Sequence, residues 1–252
     1  MTEIEKYLAI NQPPPRIKKA FLALIGLWII FTGCDNGISD NGISFDDPAI
    51  PDARTEQWWI DRHTAKANPV IQNQKIIFIG DSITHAWEGT EAWAALNAKY
   101  NNKITNLGFS GDQVQNVIWR LENGEFPVGI NPEYVVLMIG TNNGNAPEST
   151  AAGIWKIIQI INKNSQAAKI ILSSILPRGS GSNDVNSIRN AAINEIIKSY
   201  NGRLNVLYLN LWPHYIRDTG ELKDELFDDI KVHLTAEGFN IWKEKLIEII
   251  GD

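Results

Sequence analysis

Ser82, His233 and the two aspartates just upstream of that histidine have the types and order that a covalent acyl-transfer centre requires. Ser82 lies in KIIFIGDSITHAW, residues 75–87, where Ile76, Ile77, Phe78 and Ile79 run into a glycine. An apolar run of that length ending at glycine reads as a buried strand, which puts Ser82 where strand passes to helix. The unpaired N–H groups and positive dipole end of a helix N-terminus favour negative charge developing there. The same hydroxyl could serve only as a helix N-cap, and Gly80-Asp81-Ser82 alone does not separate the two roles. A hydrolytic serine further needs a base, a group that orients the base, and donors for an oxyanion. Of the four histidines, His85 follows Ser82 by three residues and is expected to point along the helix. His63 precedes the first strand and His214 sits in a Trp-Pro-His loop, so both read as packing or surface residues. His233 directly precedes the last helix, and Asp228 or Asp229 could hold its imidazole in one tautomer.

The elements that must position these groups alternate strand and helix. Trp58, Trp59 and His63 fall in a short helix, with the tryptophan pair read as covering a core edge. After the Ser82 turn comes a helix with Trp93, Leu96 and Tyr100, a strand from Ile104 to Leu107, and a helix carrying Val114, Val117, Ile118 and Leu121. Tyr134 to Ile139 is the clearest buried strand, and it runs into Gly140-Thr141-Asn142-Asn143-Gly144. Ile154, Ile157, Ile158 and Ile161 then define an amphipathic helix. A strand from Lys169 to Ser174, a helix marked by Ile188, Ala192 and Ile196, a strand from Val206 to Leu209 and a helix with Phe239, Trp242, Leu246 and Ile249 complete the order. Such alternation predicts an α/β fold, a parallel sheet covered by helices on both faces. Ligands bind such sheets beyond the carboxyl ends of the strands, where the Gly/Ser/Asn/Asp-rich turns after the first three strands converge. The 252 residues are 44% hydrophobic with a formal charge of -6, which suits one globular domain and offers nothing for nucleic acid.

Four blocks in this order resemble the SGNH, or GDSL, hydrolases: residues 80–84 (GDSIT), 106–112 (NLGFSGD), 140–143 (GTNN), and His233-Leu234-Thr235 before the last helix. Within that superfamily the chain is most similar to the catalytic subunits of platelet-activating-factor acetylhydrolase and their bacterial relatives. The likeness includes residues 119–125 (WRLENGE) and 176–179 (LPRG) and extends over roughly residues 55–250. It implies a three-layer α/β/α flavodoxin-like fold with a five-stranded parallel sheet and an esterase that uses no metal or other cofactor. It also implies Ser82 as nucleophile, His233 as base, and an oxyanion hole made by the Ser82 and Gly108 N–H groups and the Asn142 amide. The family's orienting aspartate stands three residues before the histidine, where this chain has Ile230; Asp229 is therefore expected in that role, with Asp228 next and a backbone carbonyl as the remaining option. The implied substrates are short-chain esters, acetyl first, of small molecules or of glycans outside the cytoplasm. The alternatives are a lysophospholipase or thioesterase, and a catalytically silent glycan-binding lipoprotein.

The amino-terminal segment reads separately. Arg16, Lys18 and Lys19 precede an uncharged run from Ala20 to Phe31 and then Thr32-Gly33-Cys34, the three regions of a secretory signal. As a helix that run would be about 18 Å long, short of the roughly 30 Å needed to span a bilayer. Cys34 is the single cysteine, and Phe31-Thr32-Gly33-Cys34 resembles a bacterial lipobox, which implies a lipid anchor at Cys34. The expected organisation is thus a lipoprotein signal peptide over 1–33, a flexible tether over 34–53 in which DNGIS occurs twice, and the hydrolase domain over 54–252. A lipid-anchored protein on a bacterial membrane, in periplasm or at the cell surface, follows from it. Mass spectrometry of Cys34 decides that point, because an unmodified cysteine would contradict it. No stripe of residues identifies an interface between copies.

Overall fold

The computed structural model describes residues 47–67 and 71–251. The expected signal peptide, Cys34 and most of the expected tether lie outside the described residues.

Five strands form one parallel sheet in the order β2-β1-β3-β4-β5: β1 Ile76–Gly80, β2 Ile104–Gly108, β3 Tyr134–Met138, β4 Lys169–Ser173 and β5 Val206–Leu209. The apolar runs of β1, β3 and β4 follow from burial on both faces, because successive side chains point to opposite sides. Ile77 and Ile79 of β1, Val135 and Leu137 of β3, and Ile170 and Leu172 of β4 enter one core, while Ile76, Phe78, Val136, Met138 and Ile171 enter the other. Each such side chain stabilises the fold by about 1.5–3 kcal/mol through burial alone.

The first core is covered by α4 Val114–Arg120, α5 Pro147–Asn164 and α6 Val185–Ile197. The second is covered by the short α2 Ser82–His85, by α3 Glu91–Lys99 and by α8 Ala236–Ile250, with Trp87 stacked on Trp242 at 4.6 Å between ring centres. Helix α1, Gln57–Lys66, precedes the sheet, and α7, Trp212–Tyr215, follows β5. Thr235 caps α8 as expected, its hydroxyl accepting from the Gly238 N–H. This is the three-layer α/β/α architecture with five parallel strands.

Two expectations change. The α6 residues Ile188 and Ala192 face solvent, Ile188 being 57% exposed, and the buried face carries Ser187, Asn190, Ile193, Asn194 and Ile197. Its polar residues satisfy the irregular backbone after β4. Asn194 bonds both the N–H and the carbonyl of Ile175, Asn190 donates to the Leu176 carbonyl, and the Ser187 hydroxyl bonds both backbone groups of Arg178. A buried backbone that leaves a strand needs such partners, so amides occupy a face that periodicity assigns to aliphatics. The second change concerns the domain start. Residues 47–53, expected in the tether, lie on the domain: Pro48 is buried against Gly153, the Asp52 N–H donates to the Gln115 carbonyl and Asn116 Nδ2 donates to the Asp52 carbonyl. Backbone hydrogen bonds rather than apolar side chains hold this stretch, so its composition does not reveal it.

Candidate active site

At the end of β1 the chain turns so tightly that a Cβ at Gly80 would lie 2.4 Å from the Met138 carbonyl oxygen and 2.1 Å from Thr84 Oγ1. Asp81, 1% exposed, then takes the cap of α2, its Oδ1 accepting from the Ile83 N–H at 3.0 Å. The capping role therefore belongs to Asp81, and the Ser82 hydroxyl is left for other work. Burial pushes the Asp81 carboxyl up to about 7, against the Ile83 hydrogen bond that favours the charged form. Its folded value lies above its unfolded one, so the native state holds this proton where the unfolded chain has lost it. The contribution to stability is full below the ordinary aspartate range and is lost as pH rises through about 7. Asp81→Asn retains an acceptor for Ile83 and cannot ionise. In denaturant unfolding it is expected to exceed the parent in stability at about pH 8 and to lose that advantage towards about pH 4.

Ser82 Oγ lies 2.9 Å from His233 Nε2, and His233 Nδ1 lies 3.1 Å from Asp228 Oδ2. The expected pairing of Ser82 with His233 is therefore present, although the two are 151 positions apart in the chain. The carboxylate is Asp228, not the expected Asp229. Phe227 bridges Leu234, the Asp228 N–H donates to the His233 carbonyl and the Lys231 N–H donates to the Asp228 carbonyl, so the loop closes with residues 228 and 233 facing one another. Lys231 takes φ +57° to make that turn, and Ile230, in the family's usual aspartate position, is 66% exposed on it. Asp228 Oδ1 also accepts from the Val232 and His233 N–H groups at 3.0 and 3.2 Å. Partial burial raises the Asp228 carboxyl, but those donors and the imidazole outweigh it and the net shift is downward. With Asp228 ionised, Nδ1 carries the imidazole proton and donates to Oδ2, leaving Nε2 to accept from the serine hydroxyl.

The oxyanion donors also need correction. The Gly108 N–H donates to Asn106 Oδ1 at 2.7 Å and is occupied there. A glycine is required at 108 for packing, because a Cβ would fall 2.3 Å from the His85 nitrogen where β2 meets α2. Gly111, at φ +80°, has an N–H that bonds no acceptor among the described residues, as does Ser82 at the start of α2. Gly111 lies between Ser110, which lines the cavity over Ser82, and Asp112, whose carbonyl accepts from Asn142 Nδ2 at 3.0 Å. The second N–H of the Asn142 amide remains available beside that loop. Ser82 and Ser110 line the cavity, and Gly111 and Asn142 adjoin it through Ser110 and Asp112.

A buried ionic network holds this loop from below. Arg120, fully buried, donates from Nε to Asp112 Oδ2 at 2.8 Å, from one terminal nitrogen to Glu125, and from the other to the Leu107 carbonyl at 3.2 Å. Its guanidinium lies 3.9 Å from the centre of the Phe109 ring. Trp59 Nε1 and Arg54 donate to Asp112 Oδ1, and His63 Nδ1 pairs with Glu125 at 2.8 Å. These roles escape a periodic reading, which assigns an arginine late in an amphipathic helix to solvent.

The open cavity over the serine has a volume of about 510 Å³ and is lined by Ser82, His85, Ala86, Glu88, Ser110 and His233. Helical direction predicts that His85 points along its helix; it faces this cavity instead, with Nδ1 2.9 Å from Ser110 Oγ. Burial, then Arg62, lowers its pKa, so it is neutral at physiological pH.

The family model of the GDSL-like Lipase/Acylhydrolase family matches residues 78–241. Platelet-activating factor acetylhydrolase IB subunit alpha2 of Homo sapiens is 33% identical over 210 residues, covering 80% of this chain and 89% of that protein. The alpha1 subunit of Bos taurus is 30% identical over 186 residues, covering 73% and 78%. Among solved structures, a GDSL-like lipase from Bacteroides thetaiotaomicron superposes with a TM-score of 0.61 at 22% identity, covering 77% of this chain and 96% of that one. A mutant of an acetyl-xylooligosaccharide esterase from Geobacillus Stearmophilus gives 0.58 at 19% identity, covering 72% and 95%. On the strength of the family model and the curated relatives, this chain belongs to the GDSL-like lipase/acylhydrolase family and is a carboxylic ester hydrolase.

Proposed function

We propose that the chain hydrolyses short-chain esters, acetyl esters first, through an acyl-enzyme on Ser82, with glycans as the acylated alcohols. The observation that carries the mechanism is the continuous chain from Ser82 Oγ to His233 Nε2 and from Nδ1 to Asp228, at 2.9 and 3.1 Å. His233 takes the hydroxyl proton as Oγ attacks the acyl carbon. The oxyanion receives the Ser82 and Gly111 N–H groups and the free N–H of Asn142, each such donor being worth about 2.7–4 kcal/mol in the transition state. His233 then protonates the departing alcohol and later activates the water that releases the acid. Asp228, kept ionised by its backbone donors, fixes the imidazole tautomer throughout.

Two observations support the short acyl group. The side chains lining the open cavity include no aliphatic group longer than Ala86 to pack along a fatty chain. The curated relatives are acetylhydrolases by name, and one structural neighbour is an acetyl-xylooligosaccharide esterase. A panel of p-nitrophenyl esters tests the reading. We expect kcat/KM not to rise from acetate to octanoate, whereas a site that buried the acyl chain would gain about 0.8 kcal/mol for each added methylene. Rising activity with chain length would favour the lysophospholipase alternative.

A further inference from the structure

The adjacent tryptophans of α1 have different fates. Trp59 is 1% exposed and bonded to Asp112, so the core uses it fully. Trp58 is 41% exposed and adds little to the core. Its ring lies 6.4 Å from that of His85 and within 16° of parallel, and His85 lines the cavity that holds Ser82. Arg54 steadies the tryptophan, its guanidinium 5.2 Å from the ring centre while one nitrogen donates to the Ser110 carbonyl at 2.7 Å. A large ring is thus fixed, partly exposed, beside an open cavity whose walls include His85, Glu88 and Ser110.

Those walls carry hydrogen-bonding groups that are already oriented. The His85–Ser110 contact uses Nδ1, which leaves Nε2 of a neutral imidazole for a ligand. Glu88 is held by Arg62 at 3.0 Å and Lys66 at 2.6 Å, which orders its carboxylate while its spare lone pairs can still accept hydroxyl protons. An aromatic plate beside neutral and anionic acceptors suits a ligand with a C–H face and a rim of hydroxyls. A fatty chain would leave these polar groups desolvated and unpaired.

Resting on the esterase reading above, we propose that Trp58, His85, Glu88 and Ser110 form a sugar-binding subsite that holds the pyranose ring carrying the ester, with the sugar packed against the exposed part of Trp58. This subsite fixes the preference for acylated carbohydrate over other esters of the same acid.

The test compares the full chain with Trp58→Ala and Trp58→Phe on acetylated xylo-oligosaccharides and on p-nitrophenyl acetate. For Trp58→Ala the ratio of kcat/KM on the oligosaccharide to that on the aryl ester is expected to fall roughly tenfold or more, mainly through KM, because a binding plate acts on one substrate only. Trp58→Phe keeps a ring and is expected to restore most of the ratio. An unchanged ratio in Trp58→Ala, or no hydrolysis of acetylated oligosaccharide by the parent, overturns the subsite. Loss of p-nitrophenyl acetate hydrolysis in Ser82→Ala reports on the esterase reading separately, so failure of one is not mistaken for failure of the other.

Discussion

Asp228→Asn is expected to lower kcat about 10⁴-fold, the effect known for the equivalent change in a serine protease triad. Asp229→Asn should stay within about twofold, because that side chain makes no contact with the imidazole and changes away from such features are usually mild. The geometry supplies the reason for both. Asp228 Oδ1 accepts from two backbone N–H groups, which fixes that oxygen in the loop. In the asparagine variant the amide oxygen would keep those bonds and the NH₂ would face His233 Nδ1. A donor there forces the proton onto Nε2, which then points at Ser82 and cannot accept from it. The fold should remain, so unfolding curves of the two variants should resemble the parent while steady-state rates diverge. If Asp229→Asn were inactive and Asp228→Asn active, the orienting carboxylate would have to be reassigned.

Arg120→Met should cost about 3–5 kcal/mol of stability, because it leaves buried carboxylates without their cation. Asp112 and Glu125 are both fully buried around the guanidinium. Arg54 reaches Asp112 only at 3.3 Å, and its side chain is 20% exposed, so it cannot replace the lost charge in full. The same change releases the Leu107 carbonyl and the face of Phe109, so the loop carrying Ser110 and Gly111 loses its footing. Pairing Arg120→Met with Glu125→Gln removes one of the stranded charges and should recover part of the loss in urea unfolding. A single variant within about 1 kcal/mol of the parent, close to the range of ordinary surface changes, would show that the network carries little of the stability.

What the sequence discloses depends on how local the physics is. The β1 strand, the turn at Ser82 and the base before α8 are written in runs and blocks, and four such blocks suffice to name the family and its fold. Spacing misplaces the partner of His233 by one residue because a positive-φ turn at Lys231 brings Asp228 across the loop. Residue counts alone do not show which side of a turn a carboxylate occupies. Gly108 and Gly111 differ in the same way: one N–H is consumed by Asn106, and the other is set free by a left-handed backbone. The buried asparagines of α6 and the buried Arg120 stay hidden because hydrophobic periodicity reads polar residues as solvent-facing. Helical direction discounts His85, but α2 is one turn long, too short for that argument to bind.

The central claim is that Ser82 is the nucleophile activated by His233. Reaction of the full chain with a fluorophosphonate probe, followed by peptide mass spectrometry, tests it most directly. We expect one phosphonyl adduct on Ser82, abolished in Ser82→Ala and strongly slowed in His233→Ala. A probe that leaves Ser82 unmodified, or labels Ser82→Ala as fast as the parent, would contradict the account.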